Sequence, residues 1–210
     1  MKDKTNHIIE KATKLFMQNG LHSVSMDNIA SYAGISKKTL YENFAGKEIL
    51  VNTIVEKIIS KTNKYLFLCP DISPNAIIEI ENFSSYIRSV LEILTPAFVR
   101  DLKKYYPDAY MQLGVFRDNS IIPYLERCLQ RGIAEEIFRP DIDKANVGWF
   151  YCWQIQSALG GDTSQTDINK IIKNANNFFL HGILNSKGLK LVNMIKHQEN
   201  PEQEKKLRTG

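Results

Sequence analysis

The stretch SMDNIASYAGISKKTLYENFAGKE, Ser25 to Glu48, constrains this chain more than any other. It sets two short helical segments against a single glycine, within a chain that otherwise reads as long amphipathic helices. Helices this short are marginal in water, so caps and mutual packing must hold them. Ser25 can cap the first segment by accepting a backbone N–H, and that segment carries Ile29, Ala30 and Ala33 toward the interior. Ala30 is small enough to let a second helix cross closely. Gly34 stands where the chain must turn sharply with φ positive, a conformation glycine adopts without a Cβ clash. Ile35 then plugs the angle between the segments, Ser36 caps the second, and Leu40 and Phe44 point inward. Lys37, Lys38, Tyr41 and Glu42 are left facing outward.

Ala30, Gly34 and Leu40 lie four and six residues apart, the spacing of the helix-turn-helix DNA-binding motif. The second helix is short because it must fit a major groove about 12 Å wide and present its first turns to the bases. Lysines in that first turn can reach guanine O6/N7 or phosphate, and capped helix N-termini add amide donors to phosphate.

The rest of the chain extends an all-α reading. Ile8, Ile9, Ala12, Leu15 and Phe16 recur at helical spacing and predict a first helix from about Lys4 to Asn19, ended by Gly20, with Lys4, Lys11 and Lys14 facing water. Gly46 to Leu68 contains no internal glycine or proline, repeats Ile49/Leu50, Ile54, Ile58 and Leu66, and predicts a long lever between two regions. Pro70 and Pro74 break the chain. Helices are expected over Asn75 to Leu94, Pro96 to Tyr105 and Pro107 to Arg131, the last two opening on a proline suited to a first turn. Asp141 or Asp143 can cap an aromatic-rich helix from Lys144 to Leu159, and Thr166 or Asp167 a last long one to about Ser186. Lys196 onward is nearly devoid of apolar residues and is expected to be disordered. The expected division is therefore 1–47, 48–195 and a tail, 196–210.

Several classes of function are disfavoured. Apolar runs fall far short of the roughly 18–20 residues a membrane helix needs, and the charged N-terminus MKDKTNHIIE lacks the apolar core of a secretory signal. A cytoplasmic location without a membrane partner is expected. Cys69, Cys128 and Cys152 are odd in number and widely spaced, reading as reduced core residues. His7, His22, His181 and His197 show no ligand or catalytic spacing, so no metal, cofactor or histidine base is expected. No H-E-x-x-H, phosphate loop or G-x-S-x-G is present, which argues against an enzyme. The net charge of +4 permits nucleic-acid binding, but residues 1–50 hold seven lysines against five acids, so local placement must provide the affinity.

The runs IIEKATKLFMQNG and SMDNIASYAGISKKTLYENFAGKEIL together resemble the N-terminal domain of the tetracycline-repressor (TetR) family of bacterial transcriptional regulators, over about residues 8 to 50. The resemblance implies a three-helix DNA-binding domain followed by a helical domain that binds a small effector and forms a homodimer. It further implies that Ser25, Ser36, Thr39, Tyr41 and Lys47 contact phosphates of double-stranded DNA while Lys37 and Lys38 enter the groove, with Glu42 and Asn43 completing the interface. Lys38 stands where a small residue is frequent, and Asn43 where His or Tyr is common. Repression of a pseudo-palindromic operator follows from the same resemblance. An effector-independent DNA-organising protein is the alternative that would share the motif.

Seventeen of the 21 aromatic residues lie beyond position 50. Phe83, Tyr86, Phe98 and Tyr106, with Tyr110, Phe116 and Tyr124, sit on helices expected to surround an effector pocket, with Arg88, Arg117 and Asp118 as polar contacts. The effector is expected to be small and largely apolar, and to act through the helix from Gly46, whose far end carries Tyr65 and Phe67. The last two long helices carry Trp149, Trp153, Ile172, Phe178 and Phe179, more apolar surface than a two-helix edge could bury, and are expected to form a four-helix dimer interface.

Overall fold

A computed structural model describes residues 2–160 and 165–199. Eleven α-helices are formed among the described residues: α1 (Lys2–Asn19), α2 (Met26–Ala33), α3 (Lys37–Asn43), α4 (Lys47–Leu68), α5 (Ala76–Ile93), α6 (Pro96–Tyr105), α7 (Pro107–Phe116), α8 (Ile122–Ala134), α9 (Lys144–Gly160), α10 (Gln165–Ile183) and α11 (Ser186–Glu199). No strand is formed among them, apart from a single antiparallel bridge between Phe138 and Leu184.

Helix limits follow local chemistry. Gly20, at φ +77°, ends α1 and donates to the Phe16 carbonyl at 2.8 Å. Asn75 and Thr95 cap α5 and α6 through their side chains. Of the two aspartates that could cap α9, Asp143 does so, accepting the Asn146 N–H at 3.2 Å, while Asp141 pairs with Arg139 at 2.9 Å. The residues Thr166 and Asp167 lie where side chains are outside the described set, so the expected cap of α10 is not described.

The single helix expected from Pro107 to Arg131 is a rod with a π-helical turn, Arg117–Ile121, between α7 and α8. Pro123 supplies the reason. It has no N–H, and its ring would meet the carbonyl four residues earlier in a regular helix. Widening the turn, with the Ile122 N–H reaching back to the Arg117 carbonyl, relieves that conflict.

The expected tail begins later than its composition suggests. Lys196 to Glu199 belong to α11, which begins at Ser186 and is capped by Asn185 through the Gly188 N–H at 3.0 Å. Residues 200–210 lie outside the described residues. Leu191, Val192 and Ile195 hold α11 against the C-terminal core, and their helical spacing is visible in the sequence.

Two apolar clusters organise the chain. The first joins Ile8 and Phe16 of α1, Ile29 of α2, Leu40 of α3 and Val51 of α4. It also takes in Leu94, Phe98, Leu102 and Ala109, so α6 packs into the core beneath the helix-turn-helix. The second joins Phe83, Leu125, Phe138, Tyr151, Ile172 and Val192. Helix α4 contributes to both, Val51, Ile54 and Ile58 to one and Leu66 to the other. Arg131 ties the turn after α4 to α8. Its guanidinium donates to Glu79 at 2.7 Å, Glu135 at 2.7 Å and the Ser73 and Pro70 carbonyls. Glu79 itself is 2% exposed, and a buried carboxylate stays charged only when paired and hydrogen-bonded in this way.

Candidate functional site

The short helices are fixed as their sequence requires. Ser25 and Asn28 form a reciprocal capping box: Ser25 Oγ accepts the Asn28 N–H at 3.1 Å, and Asn28 Oδ1 accepts the Ser25 N–H at 2.8 Å. Gly34 closes α2 in the left-handed conformation, φ 66° and ψ 33°, and the Ile35 N–H returns to the Ala30 carbonyl at 3.0 Å. Ser36 caps α3, accepting the Thr39 N–H at 3.0 Å. Met26, Ile29, Ala30 and Ala33 of α2 and Leu40 of α3 are buried, with Phe44 just beyond.

What these anchors leave outside is a polar, cationic face. Ser36, Lys37, Lys38, Tyr41 and Glu42 are exposed, and Ser25 is exposed at the start of α2. Lys37 Nζ lies 2.6 Å from Asp27 and Lys38 Nζ 4.0 Å from Glu42. These are surface pairs, which water screens and which are each worth about 0–1 kcal/mol, so a phosphate or a base edge can displace them. Thr39 is half-buried and meets Ser36 Oγ at 2.9 Å.

Two residues grouped with this face are placed differently. Asn43 is turned back on its own scaffold: Oδ1 accepts from Thr5 at 2.9 Å and Nδ2 donates to the Thr39 carbonyl at 2.8 Å. It fastens α3 to α1 instead of facing outward, because it is on the last turn, beside α1. Lys47 is half-buried, donates to the His22 carbonyl at 3.4 Å and lies 5.9 Å from the Phe16 ring centroid. Burial lowers its pKa, and the nearby Asp101 carboxylate partly opposes that shift. A phosphate contact by Lys47 requires it to leave this seat. His7, which the sequence does not assign to this face, lies beside it, with its Nε2 3.1 Å from the Ala33 carbonyl.

A cavity of about 1140 Å³ opens between α4, α5, α6, α7 and α9. Of the aromatic and charged residues expected around an effector, Phe83, Tyr110, Phe116, Arg117 and Asp118 line it. Tyr86, Arg88, Phe98, Tyr106 and Tyr124 do not. Phe98 is wholly buried in the N-terminal core because α6 turns its Phe98 and Leu102 side chains toward the helix-turn-helix. Tyr124 is buried against Phe83, with ring centroids 5.2 Å apart. Tyr86 stacks on Tyr65 at 3.8 Å, Tyr106 packs against the N-terminal cluster, and Arg88 is exposed. The contribution of α4 comes from Ile58 and Thr62 and not from its far end, where Phe67 is 78% exposed. Sequence reading missed Lys103, Lys104 and Tyr151, which do line the cavity. Arg117 is neutralised by a two-pronged pair with Asp118, at 2.7 and 3.1 Å, and also donates to Gln156 at 2.6 Å. The hydrogen bonding between Arg117 and Asp118 raises the pKa of the first and lowers that of the second. Cys152 also lines the cavity, and burial pushes its thiol up to about 12.

On the outer side of α9 and α10, Trp149 and Trp153 are exposed, by 53% and 48%, as is Phe178, by 80%, and Trp153 also borders the cavity. Ile172 and Phe179 are not exposed; both are buried in the chain's own core, Phe179 against Tyr151. On α10 they are turned about 100° from their neighbours Ile171 and Phe178, which are exposed.

A capped helix-turn-helix beneath an all-α body defines the class: a DNA-binding transcriptional regulator. Residues 8–54 match the family model of the bacterial regulatory proteins, tetR family. The chain is 27% identical over 139 residues to the uncharacterised HTH-type regulator YvaF of Bacillus subtilis, covering 64% of this chain and 72% of YvaF. It is 30% identical over 114 residues to IcaR of Staphylococcus aureus, the HTH-type negative transcriptional regulator of the biofilm operon icaADBC, covering 54% of each. The alignment thus spans about half of IcaR's length. A solved TetR-family regulator from Agrobacterium tumefaciens superposes with a TM-score of 0.69 over 88% of this chain and 99% of that one, at 14% identity, a likeness of fold. Among the described residues no helix is long and apolar enough to cross a membrane.

Proposed function

We propose that this regulator is a homodimeric repressor that holds a pseudo-palindromic DNA operator and lets it go when a small molecule enters the cavity between α4 and α9. The observation that carries the reading is the exposed, cationic first turn of α3, clamped by Ser36 and backed by buried Leu40. Residues 1–47 read DNA in this proposal: Lys37 and Lys38 at base edges, and Ser25, Ser36, Thr39, Tyr41 and, once unseated, Lys47 at phosphates. Glu42 limits which bases are accepted, since a carboxylate can accept from cytosine N4. Residues 48–195 bind ligand and partner. Repression is supported by likeness to IcaR, a negative regulator. The exposed Trp149, Trp153 and Phe178 support a partner copy on α9 and α10.

Two recognition helices in a dimer must meet major-groove faces about 34 Å apart. Selection of bound sequences from random duplex DNA, followed by footprinting, should therefore return one short inverted repeat. Enrichment of unrelated sequences with similar affinities would instead favour a DNA-organising role.

A further inference from the structure

The cavity is apolar in its depth and cationic on one wall. Phe83, Leu91, Tyr151 and Leu159, all at most 9% exposed, form the interior. Arg100, Lys103 and Lys104 lie on one wall, and all come from α6. Their spacing of three and four residues puts them on one face of that helix, while Phe98 and Leu102 face the N-terminal core. The α6 wall is thus basic because its apolar side is already used. Lys103 and Lys104 are exposed, and Lys104 Nζ lies 5.0 Å from the Tyr105 ring centroid. Elsewhere on the lining, the Arg117 and Asp118 charges cancel within their own pair. Among the described residues of the lining, Asp118 is the acidic one, so those residues carry a net positive charge.

A purely apolar guest would fill the interior and make no use of Lys103 and Lys104. A cationic guest would meet like charge. We propose that the cavity takes an amphipathic anion: an apolar body in the Phe83–Tyr151 interior and a single anionic headgroup held by Lys103 and Lys104 at the α6 wall. This rests on the reading of the cavity as the ligand site and replaces the expectation of a largely apolar effector. The volume, about 1140 Å³, is ample for a long-chain or ring-bearing body.

Trp153 lines the cavity and, with Trp149, provides the chain's tryptophan fluorescence. The full-length protein is titrated with dodecanoate, dodecanol and dodecyltrimethylammonium, each below its micelle-forming concentration. Dodecanoate should bind about tenfold more tightly than dodecanol, as charge-assisted hydrogen bonds permit, with the ammonium weaker still. Lys103→Ala/Lys104→Ala should erase the preference for the carboxylate and leave dodecanol binding unchanged. Lys61→Ala/Lys64→Ala, exposed lysines that do not line the cavity, should leave every affinity unchanged. If dodecanol binds as well as dodecanoate, or the Lys103/Lys104 change spares the carboxylate, the anionic inference fails and the ligand site stands. If none of the three binds, the ligand-site reading fails as well.

Discussion

Asp101 and His22 are 79 residues apart in sequence, yet Asp101 Oδ2 accepts the His22 backbone N–H at 2.8 Å. The bond joins α6, whose other side lines the cavity, to the turn that precedes the helix-turn-helix. His22 also stacks on Tyr105 of the same helix, with ring centroids 4.4 Å apart. In the proposed mechanism, a shift of α6 on ligand binding would act on α2 and α3 by a route that does not pass through α4. Asp101→Ala should cost about 1.5–3 kcal/mol of stability, the range for a hydrogen bond to a charged group. It should also narrow the difference in operator affinity measured with and without dodecanoate. Unchanged coupling in that titration would assign transmission to α4.

Lys37 is engaged with Asp27 in the free protein. Because that pair is exposed, it competes only weakly with DNA. Asp27→Asn should tighten operator binding by removing both the competitor and a like-charge repulsion with phosphate. Lys37→Ala should relax base preference at one position of each half-site, with little change in the slope of log affinity against log salt, because that slope follows phosphate contacts. Both are read by fluorescence anisotropy across a salt series.

The buried carboxylate of Glu79 depends on Arg131. Arg131→Ala should destabilise the fold by about 3–5 kcal/mol, since it strands a charge in the core and frees the Ser73 and Pro70 carbonyls. Replacing both, Glu79→Leu with Arg131→Leu, should cost distinctly less. A urea-denaturation double-mutant cycle reads the difference.

Much of this architecture is legible in the sequence because local chemistry determines it. Ser25, Gly34 and Ser36 specify their caps and turn from three positions, and the apolar spacing of α1 and α4 gives their buried faces. What is not legible depends on neighbours distant in sequence. Phe98 and Tyr110 both read as aromatics on amphipathic helices, but α6 packs into the N-terminal core and takes Phe98 away from the cavity. Asn43 reads as outward until Thr5 of α1 is set beside it. On α10, Phe178 and Phe179 are adjacent in sequence and about 100° apart round the helix, yet are 80% and 8% exposed. A helical pattern alone does not say which apolar side meets its own chain.

The three thiols should be inert in the native state. Cys69, Cys128 and Cys152 are buried and free, and burial raises the pKa of Cys128 and pushes that of Cys152 up to about 12. Because thiolate is the reactive form, modification by an aromatic disulfide should follow unfolding. At reagent concentrations high enough that unfolding limits the reaction, its rate should be nearly flat between about pH 7 and pH 8.5, where a free thiol, with its pKa of about 8.5, would react faster as pH rises. The sign for stability is fixed by the same shifts. Well below the free thiol pKa of about 8.5 both states keep the proton; as pH rises through it the unfolded chain ionises first, so stability falls. Rapid native-state labelling of Cys152, mapped by mass spectrometry, would show that the cavity admits reagent to the thiol.

Phe178 provides the sharpest test of assembly. It is 80% exposed on α10, and Trp149 stacks with Trp153 on α9 at a centroid separation of 6.4 Å. Side chains of this size leave water when a partner covers them, and fully burying one contributes about 1.5–3 kcal/mol, doubled in a symmetric interface where each copy presents the same patch. Phe178→Asp places a charge in that interface and touches no buried contact within the chain, so helical content and the core should be preserved. Analytical ultracentrifugation should then find the parent chain a dimer and the Phe178→Asp chain a folded monomer. Operator affinity should fall steeply, because one helix-turn-helix alone engages one half-site, whereas binding to an isolated half-site should change little. Phe179→Asp should behave in the opposite way, unfolding the chain by placing a charge against Tyr151. A Phe178→Asp protein that remains dimeric and binds the full operator normally would move the interface away from α9 and α10.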